Sequence, residues 1–303
     1  MANPDPTLLK PISAAMTAGT LPGESDGFDD KAAADAAAFM LATAMDRAPG
    51  KPNVQIESFA DHEGKLAMRI AISNDDMPFL VDSTASALAA ANIGIIRLLH
   101  PVLDVARDEN GMLQSVSDKK GSTGKRESFI YLEAARVDAK ARNALADRLA
   151  SVLNDVRCAV IDWRKMQGAM AEDAEGLPDG EGAALVRWFM DGSLTVLAHE
   201  HIALDGSRQN RLGLSRSNDT ALLSTESIER ARKYFAEGGR APLMLKSSRN
   251  STVHRSVQLD IIVVPLRDGE AVKGLSVTGG LWTSSALATP PERIPMLRTH
   301  LAN

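Results

Sequence analysis

The chain has 303 residues, 44% hydrophobic, 24% charged and 4% aromatic, with a formal net charge of -5 and one cysteine. That length suits about two domains, and the acidic balance argues against a general nucleic-acid binder. The lone Cys158 rules out an intrachain disulfide, and no apolar run reaches the roughly 20 residues of a membrane helix. The opening Met-Ala-Asn-Pro-Asp-Pro lacks the basic and apolar regions of a secretory signal. A soluble cytoplasmic protein is therefore the default expectation.

Residues 1–60 read as a loose arm up to residue 28, a helix over Asp29–Met45 and a short strand over Val54–Phe59. A first domain, 61–167, follows. Lys65–Ile72 is a strand and Phe79–Ala91 a helix, stopped by Asn92 and Gly94. Gly94–Arg107 holds a second strand, and Asp108–Gly111 is a hairpin-type turn. A polar loop over Ser115–Lys125 leads to a third strand, Arg126–Arg136, then a helix over Asp138–Val152. Leu149, Val152, Leu153, Val156, Val160, Trp163 and Met166 recur at helical spacing. Asp155–Met166 is thus a helix, where a fourth strand would complete a βαββαβ module.

Residues 168–182, rich in Gly, Asp, Glu and Ala around Pro178, read as a linker. The second domain, 183–303, is introduced by a helix over Glu181–Met190. A strand over Leu194–Leu204 and a short strand over Arg211–Ser215 come next. Thr225–Ala236 is a helix with Ser224 or Thr225 as cap. Pro242–Ser247 is a strand, and Val257–Arg267 and Ala271–Thr283 form a hairpin across Asp268-Gly269. The fold class is α+β throughout.

Chemistry-bearing residues are few. Asp75 and Asp76 precede the Phe79–Ala91 helix, where they either cap its free N–H groups or mark a carboxylate-ligand site at its N-terminus. Lys246–Arg255 is polar and basic. Arg249 and Arg255 suit forked recognition of a carboxylate or an interdomain acid, with His254 beside them, against an ordinary loop. His199 and His201 share one strand face; without a third ligand they read as solvent-facing rather than metal-binding. Gly121–Arg126 lacks the Walker spacing and reads as a hairpin tip. Trp163 and Trp188 are expected in the core, and Cys158 as a structural thiol. The sequence has no GxSxG, HExxH or strand-borne GxGxxG, so no catalytic, cofactor-binding or metal-binding residue is assigned.

The strand, acidic turn, proline and helix around Asn74–Ser83 resemble the opening of an ACT domain. Many ACT domains carry glycine where Phe79 stands. Asn74–Ser83, Leu98–Val102, Glu127–Ile130, Asp155–Arg157, Asp162–Met166 and Lys246–Arg255 follow one another in an order that resembles the N-terminal part of the large bacterial NAD-specific glutamate dehydrogenases. The resemblance implies an ACT-like βαββα domain followed by a PAS-like antiparallel α+β domain. It also implies a non-catalytic regulatory segment whose parent oxidatively deaminates L-glutamate with NAD. No cofactor falls in this chain. Expected partners are the remaining domains of that enzyme, a small amino-acid effector and a second copy, since ACT sheets often pair at edges such as Val102–Arg107. A stand-alone ACT/PAS-type amino-acid sensor is the alternative, and an open reading frame ending at residue 303 would favour it.

Overall fold

A computed structural model describes residues 5–18, 27–61, 63–119, 121, 124–217 and 221–301. The chain divides into two compact units, Met1–Asn154 and Asp155–Asn303. Each contains one antiparallel sheet.

Unit 1 opens with α1 (Pro6–Thr17) and α2 (Asp30–Ala44). The expected loose arm is thus helical over Pro6–Thr17. Asp5 accepts the Thr7 N–H at 2.8 Å, and Pro6 takes the first helical position, where its missing N–H costs nothing. Leu8, Ile12 and Met16, spaced by four, are buried in the same cluster as Ala36, Phe39 and Met40 of α2. The Pro11 inside the helix and the prolines flanking it mask this stripe in a composition-based reading.

The sheet is built from β1 (Asn53–Ala60), β2 (Leu66–Asp75), β3 (Ile95–Leu99), β4 (Val102–Arg107), β5 (Leu113–Ser117) and β6 (Lys125–Ala134), with α3 (Leu80–Ala90) after β2. Its order is β1-β2-β6-β4-β5, and β3 also pairs β6. The expected single strand over 94–107 is therefore two. His100-Pro101 breaks it, since proline has no N–H for a ladder. Both pieces lie against β6, β3 along Tyr131–Ala134 and β4 along Lys125–Ser128. β4 is flanked by β5 and β6, so Val102–Arg107 is not an edge. β5 begins at Leu113 and runs into the expected polar loop as far as Ser117. Gly121 and Gly124 lie on a connection between strands on opposite sides of β4, not at a hairpin tip; residues 120, 122 and 123 lie outside the described residues. β1 covers the free side of β2, where a strand after the last helix was the expectation for a complete module. Gly111 closes the β4–β5 turn. Its φ is +88, and a Cβ there would sit 2.4 Å from the Arg47 carbonyl oxygen.

α4 (Ala139–Gly176) runs from unit 1 into unit 2 as one helix. Residues 168–176, expected as linker, are its last turns. Met166, Met170 and Ala174, spaced by four, enter the unit 2 core, so apolar period overrides a Gly- and Asp-rich composition. Trp163 is exposed, contrary to the expected core placement.

Unit 2 continues with α5 (Glu181–Trp188), an irregular turn closed by Gly192, β7 (Leu194–Ala203), β8 (Arg208–Gly213), α6 (Leu214–Ser217) and α7 (Thr225–Ala236). Ser224 caps α7 through the Ser227 N–H at 3.2 Å. The strands β9 (Leu243–Asn250), β10 (Gln258–Asp268) and β11 (Ala271–Trp282) complete the sheet, followed by α8 (Ser284–Leu287) and α9 (Leu297–Leu301). Sheet order is β8-β7-β11-β10-β9. One face, with Val196, Ile262 and Val264, packs on α4 and α5. Alternation puts Ile261, Val263 and Val277 on the other face. Among the described residues no helix is long and apolar enough to cross a membrane.

Candidate functional site

Antiparallel pairing of β2 with β6 sets Asp75 directly opposite Glu127 and Asn74 opposite Ser128. Two carboxylates facing each other across a ladder repel, so this register needs a cation. Arg47, delivered by the end of α2 and held by its N–H on the Gly111 carbonyl, supplies it. One guanidinium nitrogen donates to Asp75 Oδ1 and Glu127 Oε1, both at 2.6 Å. Arg107, at the end of β4, forks onto the same carboxylate at 2.7 and 2.8 Å and donates onward to the Ala44 and Gly111 carbonyls. Arg47 and Glu127 are 3% and 2% exposed. Burial pushes the Glu127 carboxyl up, but the hydrogen bonds from Arg107 and Arg47 outweigh it and hold the group below its ordinary range.

Asp75 is thereby committed to Arg47 and does not cap α3. Asp76 does not cap it either: its Oδ1 accepts the Ser128 hydroxyl at 2.7 Å. The helix starts instead at Phe79, in the left-handed region at φ 71 with no side-chain cap. Phe79 thus adopts the conformation that favours glycine. His100 Nε2 lies 3.0 Å from Ser128 Oγ. Because the serine proton points to Asp76, the imidazole N–H is the donor in that contact. A serine so placed is not activated for attack, since no base accepts its proton except a carboxylate that needs it as a donor. Arg126 reaches towards Asp76 and, at 3.4 Å, the buried Asp104. Asp76 and His100 are exposed, with Arg126 beside them. The turn thus offers an anion, an imidazole and a guanidinium to solvent, over a buried ionic base.

In unit 2 the basic segment divides. Asp155 of α4 accepts from the Thr252 hydroxyl at 2.6 Å and from Ser217. Arg249 is half-buried: burial lowers its pKa, while Asp155 and Glu200 act in the opposite direction. His254 sits at φ 67. Arg255 is exposed and donates to the Trp282 carbonyl at 2.8 Å. Arg249 and Arg255 therefore face different partners. Asp75 and Asp76 belong to the other unit.

His199 is 1% exposed, against the expectation of a solvent-facing residue. Its face of β7 lies under α4, and its Nδ1 is 2.9 Å from Thr278 Oγ1. Burial, helped by His201, holds its pKa down at about 4. On the same face Asp173 of α4 accepts the Ser276 hydroxyl at 2.8 Å, and burial lifts its carboxyl to about 7. Glu200 points the other way into a second buried site, accepting from Arg208 and from the Leu222 N–H. Among the described residues no group of three or more His, Cys, Asp or Glu is placed to hold a metal. Cys158 is partly buried, and burial with nearby Asp155 raises its thiol pKa. That favours the inert protonated thiol.

Sequence reasoning missed Arg47, His100, Arg107, Glu127 and Ser128 as partners. Its ordered motifs nevertheless converge: Asn74–Ser83, Leu98–Val102 and Glu127–Ile130 meet at the acidic turn, and Asp155–Arg157 meets Lys246–Arg255 through Asp155 and Thr252.

These motifs have counterparts in known proteins. The family model described as "Glutamate dehydrogenase, ACT1 domain" matches residues 18–149. The NAD-specific glutamate dehydrogenase of Pseudomonas aeruginosa is 30% identical over 265 residues, 77% of this chain. The enzyme of the same name from Halomonas elongata is 26% identical over 84% of the chain. These matches support an N-terminal segment of that family. The chain spans 16% and 18% of the lengths of these two glutamate dehydrogenases. A solved structure from Mycobacterium tuberculosis aligns with 84% of the chain and 53% of its own at 11% identity, with a TM-score of only 0.20.

Proposed function

We propose that the chain is a non-catalytic regulatory and assembly segment of a large NAD-dependent glutamate dehydrogenase. The parent reaction is oxidative deamination of L-glutamate to 2-oxoglutarate and ammonia, with NAD bound elsewhere in the parent. The observation that carries this reading is the ACT1 match over 18–149, which spans the acidic turn and its buried Arg47–Glu127–Arg107 base. Unit 2, five antiparallel strands with α6 and α7 inserted between the second and third, supports a PAS-like second module.

Regulation follows from the turn's chemistry. Asp76 can receive an ammonium group and Arg126 a carboxylate, so a small amino acid fits the exposed set. In unit 2, Arg249, His254 and Arg255 serve contacts with the rest of the enzyme, which works in the cytoplasm as a homo-oligomer. The edge strand β3, with Ile95 and Ile96 exposed, offers a pairing surface where Val102–Arg107 does not.

The test is direct. The isolated chain should neither oxidise glutamate with NAD nor give a calorimetric NAD isotherm. Stoichiometric NAD binding by this chain would refute the assignment.

A further inference from the structure

A hollow of about 460 Å³ opens on unit 2, a size that accepts a small molecule. Its walls are apolar: Leu185 and Phe189 near α5, Met244 of β9, Trp282 at the end of β11, and Ile294 and Met296. The walls are preformed. Trp282 packs edge-on against Trp188 and Phe189, with ring centroids 5.5 Å apart in both cases. Glu181 accepts the Met296 N–H at 2.8 Å and forks with Arg298 at 2.6 and 2.9 Å, which fixes the segment before α9.

Only Lys246 and Asp260 bring charge to this lining. They are cross-strand partners on β9 and β10, with Nζ 2.7 Å from Oδ1. Asp260 is largely covered, at 16% side-chain exposure, whereas Lys246 is 59% exposed. An ammonium has three donors, so one held by Asp260 leaves two for an incoming acceptor. The tether also lowers the entropy cost of presenting them. Arg255 lines a second hollow, of about 520 Å³, on which the same pair borders. Lys246 and Arg255 thus share one hollow with a single carboxylate, Asp260, and the Lys246–Asp260 pair also borders the apolar hollow.

We propose that this hollow binds a small carboxylate bearing a branched aliphatic or aromatic group. The apolar group fills the space beside Phe189 and Trp282, and the carboxylate meets Lys246 within the field of Arg255. An apolar amino acid, its 2-oxo acid and a short branched fatty acid share this chemistry.

Calorimetric titration of the chain with L-leucine, 4-methyl-2-oxopentanoate, 4-methylpentanoate and isopentylamine separates these sources. At least one acid should bind one-to-one and the amine should not. Leucine as the tightest ligand identifies an amino-acid site in which Asp260 takes the ammonium; 4-methylpentanoate as the tightest identifies a plain carboxylate site. Lys246→Met keeps the bulk of an exposed side chain and should weaken the acid about tenfold, the loss of one charge-assisted bond. The proposal is overturned by an amine that binds as well as the acids, by no binding of any acid, or by an affinity that Lys246→Met leaves unchanged. Binding is read on the chain itself, so a negative result leaves the regulatory assignment standing.

Discussion

Glu127→Ala should lower the stability of unit 1 by about 3–5 kcal/mol, the cost of removing one partner from a buried ion pair. The substitution strands Arg47 and the Arg107 fork in a site where Glu127 is 2% exposed. It leaves Arg47 with Asp75 as a carboxylate partner. All three tryptophans, Trp163, Trp188 and Trp282, lie in unit 2. Urea unfolding followed by circular dichroism should therefore show an early transition that tryptophan fluorescence does not report. Glu226→Ala, which removes an exposed partner of Arg230, should change stability by less than about 0.5 kcal/mol. Equal effects of the two substitutions would mean that the buried network contributes nothing special. The wild-type network also has an acid limit. Glu127 has a folded-state pKa below its unfolded one, so its stabilisation is present above the ordinary carboxylate range and fades as pH falls through the depressed value.

Unit 2 should show almost no pH dependence from its two most perturbed groups between about pH 4 and 6.5, because their slopes cancel. Asp173 is lifted from 3.8 to about 7. Between those values the folded state holds a proton that the unfolded state has lost, so stability falls as pH rises. His199 is lowered from 6.5 to about 4. Between those values the unfolded state holds the extra proton, so stability rises with pH. Asp173→Asn removes the falling component and should expose a rise on the order of 3 kcal/mol from pH 4 to 6.5. His199→Gln should expose a fall of similar size. Tryptophan-monitored urea midpoints across this range read both. Parallel pH profiles for the wild type and both variants would contradict the buried neutral state of this pair.

Where one period dominated, the elements were legible from sequence. α2, α3, β7, α7 and the β10–β11 hairpin fall within a residue or two of expectation. Failures came where composition was read in place of period. Leu8, Ile12 and Met16 form a helical stripe hidden among prolines, and Met170 and Ala174 continue α4 through a Gly- and Asp-rich stretch. His199 was misjudged for a different reason. Alternation fixes which face a strand residue occupies, but not whether a helix covers that face, and α4 arrives from a stretch expected to be linker. The candidate site was half legible. Asp75 and Asp76 were singled out, yet their partners Arg47 and Ser128 lie 28 and 52 residues away. The β2–β6 register brings Ser128 to Asp76, and the end of α2 brings Arg47 to Asp75.

The central claim is that this segment regulates and assembles a dehydrogenase whose chemistry lies elsewhere. It is tested most directly by excising residues 1–303 from the parent enzyme and measuring glutamate-dependent NAD reduction, amino-acid response and molecular mass in solution. Retained turnover with a lost amino-acid response and a smaller assembly is the result expected. An excised enzyme that keeps its full amino-acid response and its native mass would contradict the claim.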